Sequence, residues 1–180
     1  AGNWDKNLYY PTGSSQKVVI DIGSASIATP SGSALTLGVL CLNSGFSGTL
    51  ALGNNLNLLT TTGLSGILTL QAGTLNTNGM SVTTSGLTIS GGTLTCSSGE
   101  VEVNGTLTIS SGTLTGSSGE LDVNGDIALS GTGVLIAPSG TFGVSGSWVK
   151  TGGTFTPGNN TVIFDGTGTQ NITSNSSPFY

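Results

Sequence analysis

The sequence predicts an all-β fold, a single-stranded parallel β-solenoid of about 20 residues per turn and roughly six to seven turns, opened by an aromatic N-terminal cap. Three observations predict it. Residues 87–106 (LTISGGTLTCSSGEVEVNGT) and 107–126 (LTISSGTLTGSSGELDVNGD) match at 15 of 20 positions, so one unit repeats in direct succession. Within a unit the apolar residues alternate: Leu87 and Ile89 flank Thr88, Leu94 and Cys96 flank Thr95, and Val101 and Val103 flank Glu102, the period of two that belongs to strands. Finally, 31 Gly, 25 Ser and 28 Thr make up nearly half of the 180 residues, and no ten-residue segment lacks Gly, Pro or a β-branched pair, which excludes helices almost everywhere. A sandwich of antiparallel hairpins would also use the Asn-Gly turns. It has no reason to repeat a near-identical unit in tandem, whereas a coil with one unit per turn does.

Residues 1–17 (AGNWDKNLYYPTGSSQK) fall outside the repeat and carry Trp4, Tyr9, Tyr10 and Pro11 with two of the three lysines. They read as a cap segment, because aromatics, Pro and Lys blunt the open strand edge at which a solenoid starts. The repeats then run over 18–167. A degenerate turn covers 18–39 through Val18, Ile20, Ile27, Leu35 and Leu37, and a looser one about 40–67. Residues 68–86 fit at 19 residues, the next two units at 20, residues 127–147 with one added residue, and 148–167 at 20 again.

Stacked at the usual strand spacing of about 4.8 Å, these turns place Leu68, Leu87, Leu107, Ile127 and Trp148 in one inner column. Leu75, Leu94, Leu114, Val134 and Phe155 form a second. Burial of each such side chain contributes ~1.5–3 kcal/mol before entropy, enough to hold even a Gly-rich chain. Gly91-Gly92, Gly99, Asn104-Gly105 and Asn124-Gly125 fall between strands and read as corners that need φ > 0. Residues 168–180 read as a C-terminal tail without a cap, ending on Pro178, Phe179 and Tyr180, and suited to dock as a strand elsewhere.

Charge narrows the function classes. With three lysines, eight carboxylates, no Arg and no His, the net charge is −5 and no basic stripe faces phosphates, so nucleic acid is not an expected partner. Ser-His and Cys-His nucleophile pairs and imidazole metal sites are excluded by composition. No apolar run reaches 18 residues, so no helical membrane span is expected, and no basic n-region with an apolar h-region opens the chain. In a secreted protein Ala1 would be the mature terminus. None of the lysines follows Gly in a phosphate-loop pattern, so the glycines read as structural.

One cluster stands out. Glu100 and Glu102 recur 20 residues later as Glu120 and Asp122, so stacking puts four carboxylates on one outer face. Like charges one strand spacing apart repel; a Ca²⁺ ion with oxygen ligands would relieve them, and a solvated acidic edge that resists lateral aggregation is the plainer explanation. An acid–base pair for glycoside hydrolysis would need a sugar platform or a basic residue, and neither accompanies these four in their repeats, so no enzymatic activity and no resident cofactor is expected. Thr69, Thr88 and Thr108 form an outward column, as do Thr95 and Thr115; the first runs from Cys41 to Ala128 and Val149 and so fails as a flat hydroxyl array, leaving ordinary β-propensity as its reason. Cys41 points out and Cys96 in, which separates the only two cysteines and leaves both unpaired. Asn104, Asn159, Asn171 and Asn175 lie in N-x-S/T sequons, which this composition produces by chance.

The succession GNW, LTISGGTLT and SGSWVKTGGTFTPGNNTVIFDGTGTQNIT resembles the repetitive β-solenoid modules of large secreted bacterial surface and adhesin-like proteins. The closing phrase is carried by Trp148, Gly153, Thr154, Phe155, Pro157, Gly158, Thr161, Val162, Phe164, Gly166, Thr167, Gly168, Gln170 and Ile172. The resemblance implies an extracellular or cell-surface location. The expected function is a non-enzymatic structural subunit, self-associating head to tail into a fibre through Trp4, Tyr9 and Tyr10 at one end and Pro178, Phe179 and Tyr180 at the other. The alternative is a monomeric adhesin module that binds surface glycans or Ca²⁺ within a longer protein.

Overall fold

A computed structural model of the chain describes residues 16–176 and Phe179, apart from Ile22, Ala25 and Pro30. Trp4, Tyr9, Tyr10, Pro178 and Tyr180 lie outside the described residues. The chain winds as a parallel β-solenoid of about seven turns, its strands falling into three parallel sheets of eight, seven and seven strands. Strands of two to four residues are all that a corner every few residues permits. In one turn, Gly86–Ile89 lies on the first sheet, Thr93–Thr95 on the second and Val101–Val103 on the third; Leu107–Ile109 then returns to pair with Gly86–Ile89.

The first inner column stands as the repeat predicts: Leu68, Leu87, Leu107, Ile127 and Trp148 are in-register neighbours and fully buried. Val18 and Leu40 extend it at one end and Ile172 at the other. The second column differs from expectation at one place. Leu50, Leu75, Leu94, Leu114, Leu135 and Phe155 align, whereas Val134 pairs with Thr113 and Thr154 on the outer side. The added residue of that turn sits in the corner at 130–133 and shifts the next strand by one, and a shift of one exchanges the faces. The third sheet contributes Leu56, Val82, Val101, Leu121, Phe142 and Val162.

Two turns exceed the unit by four residues or more. The loose turn 40–67 carries an antiparallel hairpin, Thr60–Thr61 with Leu64–Ser65, which projects from the coil. The turn that starts at Trp148 closes at Ile172–Thr173, four residues later than the repeat implies, and the segment read as a free tail thereby adds a strand to the first sheet. Gln170 holds the enlarged corner, its Nε2 donating to the carbonyls of Val144 and Gly146 at 2.8 Å each.

The core changes character along the axis, from Leu, Ile and Val to an aromatic cluster. Trp148 lies 4.8 Å from Phe155 and 6.1 Å from Phe142, centroid to centroid. Phe179 closes this cluster at 5.1 Å from Trp148, 5.7 Å from Phe155 and 5.9 Å from Phe164. It follows Ile172 at the interval by which Phe155 follows Trp148, so it takes the next inward place over Phe155 on its own chain.

The corner glycines carry a second correction. Gly91, Gly92, Gly99, Gly105 and Gly125 all have negative or extended φ. Their requirement is the approach of the neighbouring coil: a Cβ on Gly125 would lie 2.6 Å from both the carbonyl carbon and oxygen of Gly105. Left-handed backbone occurs at other corners, as at Gly112 (75°) and Asn78 (51°).

Candidate functional site

The third sheet presents the acidic ladder. Glu102 and Asp122 are register partners on adjacent outward positions, and Glu100 and Glu120 enter the same two strands, their carbonyls accepting from the Val82 and Val101 amides at 2.8 and 2.9 Å. Sequence reasoning missed a fifth member, Asp165. Asp122 pairs with Gly143 on the next turn, and with no side chain there, Asp122 and Asp165 face each other across the gap: a Cβ on Gly143 would lie 2.8 Å from Asp122 Oδ1 and 3.6 Å from Asp165 Oδ2. The signal was available, since Ile163 is the partner of Gly143 and Asp165 follows it at the strand period of two. Ser145 Oγ donates to Asp165 Oδ1 at 2.8 Å.

The arrangement is a repulsive ladder. Among the described residues no three His, Cys, Asp or Glu side chains converge where they could hold a metal ion. Partial burial raises the Glu100 carboxyl above its ordinary value, and the charges of Glu120, Glu102 and Asp122 add to it. Burial likewise raises Asp122, followed by Asp165, Glu120 and Glu102. A carboxyl that binds its proton more tightly in the folded state contributes stability that is complete below its unfolded value, near pH 4, and is lost as pH rises through the raised folded value. Thermal unfolding is therefore expected at a higher temperature at pH 4.5 than at pH 7, and Glu100→Gln with Asp122→Asn is expected to reduce that difference; scanning calorimetry at low salt measures both.

Other candidates resolve into structure. The column Cys41, Thr69, Thr88, Thr108, Ala128, Val149 is in register, as is Thr95 with Thr115. A longer outward column, Thr49, Thr74, Thr93, Thr113, Val134 and Thr154, stands in register on the second sheet. Both cysteines are free. Cys41 Sγ donates to Asn43 Oδ1 at 2.8 Å, and burial pushes the Cys96 thiol up to about 12, so neither is an activated nucleophile. An open groove beside the projecting hairpin, lined by Lys17, Val39 and Leu64 among others, brings one cation together with hydroxyl and apolar groups.

The ends of the stack differ from its middle. Among the described residues five large apolar side chains are exposed, and four of them lie on the terminal turns: Val19 on the first, and Val149, Ile163 and Ile172 on the last. At each end one strand of every sheet has a partner on one side only among the described residues: Lys17–Ile20, Ile27–Ala28 and Leu35–Leu37 at one, Ile172–Thr173, Thr154–Thr156 and Val162–Phe164 at the other. No protein-family model matches the chain, and neither a curated protein nor a solved structure matches it.

Proposed function

We propose that the protein is a non-enzymatic structural rod of an extracellular surface that self-associates end to end. The observation that carries this reading is the pair of strand edges with the exposed apolar side chains gathered beside them. All three sheets are parallel, so the last strand of the first sheet, Ile172–Thr173, meets the first strand of another copy, Lys17–Ile20, with matching direction, and the inward column of Ile172 continues into Val18. Such a contact uses different surfaces on the two copies and does not close on itself, so it propagates. The near absence of charge and the resemblance to bacterial surface modules support the same role and an extracellular setting. Because Phe179 fills its own aromatic cluster, the junction is a meeting of stack ends and does not require withdrawal of that residue.

Sedimentation velocity and electron microscopy of the 180-residue chain test this. Linear, concentration-dependent oligomers are expected, and Ile163→Lys with Ile172→Lys is expected to leave monomers with unchanged circular dichroism. A wild-type chain that stays monomeric up to millimolar concentration contradicts the reading.

A further inference from the structure

The last turn holds one buried donor that nothing accepts and, two residues on, a lysine set into the stack. Trp148 is fully buried and its indole Nε1–H has no acceptor. Two residues on, Lys150 is 4% exposed, stands in register over Leu129, and is paired with no carboxylate among the described residues. Every other member of its column is aliphatic: Ile20, Leu42, Leu70, Ile89, Ile109 and Leu129. A leucine would continue the stack, whereas a lysine there buries its four-carbon stem and has to bring its ammonium out to water or to a counter-charge. On the turn above, the residue that follows Thr173 is the small Ser174, which leaves the four-carbon lysine stem room to carry its charge toward the end of the rod.

The opposite end holds the complement. Asp21 follows directly on Ile20, the first member of the Lys150 column, and it is exposed. It is the one carboxylate of the first turn among the described residues.

Resting on the end-to-end reading, we propose that Lys150 is the partner key of the junction: its ammonium takes the Asp21 carboxylate of a second copy seated over the last turn. With Lys17–Ile20 of that copy stacked on Ile172–Thr173, Ile20 lies in the Lys150 column two strand spacings away, about 10 Å, and Asp21 stands at its edge. Apolar ends alone would accept several registers and rotations, since any of the three sheets offers a parallel edge. One ion pair confined to the first sheet selects a single rotation, the use of a semi-buried polar group for which register control is best attested.

Charge reversal tests the pairing in the chain as it stands. Lys150→Asp alone and Asp21→Lys alone are each expected to assemble on the order of a hundredfold more weakly than wild type, because each junction then opposes like charges. An equimolar mixture of the two variants is expected to form alternating oligomers at wild-type concentrations, since every junction between unlike variants restores an opposite pair. Lys150→Met, close in shape and neutral, controls for folding; it is expected to retain the wild-type circular dichroism and to assemble without a unique rotation in class averages. Wild-type assembly accompanied by undiminished assembly of both single reversals overturns the Lys150 proposal and leaves the end-to-end reading intact. Mixtures that stay monomeric while wild type assembles also overturn it. A monomeric wild type overturns both.

Discussion

Leu114→Ala is expected to lower the free energy of unfolding by about 3 kcal/mol, within the ~2–5 kcal/mol range for a buried Leu→Ala change. Leu114 is wholly buried and packs between Leu94 and Leu135 in the second column, so truncation leaves a cavity whose floor and roof are held by two other turns. The stack makes the consequence larger than the local loss. In a quasi-one-dimensional array each turn is stabilised by its neighbours, so a defect at the centre uncouples two halves that each keep one fewer good interface. Ile27→Ala, in the same column at the first turn and only half-buried, removes contact on one side and is expected to cost under about 1.5 kcal/mol. Urea unfolding followed by circular dichroism distinguishes the two, and the central substitution is also expected to broaden the transition.

Gly125→Ala is expected to be nearly as damaging, at about 2–3 kcal/mol, although it adds a single methyl group. The methyl would sit 2.6 Å from the carbonyl carbon and oxygen of Gly105, which are backbone atoms of the coil below and cannot rotate aside. The corner between the third and first sheets must open, and Gly146 meets Gly125 at the same corner one turn on. Gly168→Ala is the control: a Cβ there meets nothing within 4 Å, and its φ is not in the left-handed range, so it is expected to be neutral. Thermal denaturation of the two variants beside wild type measures the contrast.

How far the sequence discloses the molecule follows from what each feature depends on. Columns spaced by a constant interval, such as Leu68, Leu87 and Leu107, are legible because the strand period and the repeat length together fix both face and level. Val134 was misplaced because a one-residue insertion has no preferred position within a corner until the neighbouring strand fixes it. The corner glycines were assigned to the right places for the wrong reason: sequence shows that no Cβ is wanted there, and whether conformation or the coil beneath forbids it is a tertiary fact. In the acidic ladder the four members spaced by the unit were legible, while Asp165 enters only because Gly143 leaves a gap between it and Asp122. Lys150 is the instructive omission. The alternation that puts Trp148 inside also puts Lys150 inside, yet a lysine reads by habit as surface.

Trp148 is the place at which the first inner column turns aromatic, at the end that the proposed junction covers. The proposed junction requires that the turns lie level on one another. Methyl NOE spectroscopy on a sample with labelled Ile, Leu and Val measures this most directly. Strong cross-peaks are expected for Leu87 with Leu107 and for Leu107 with Ile127, and a much weaker one for Leu87 with Ile127, two strand spacings apart. Cross-peaks that link Leu107 to neither Leu87 nor Ile127 would contradict this stacking.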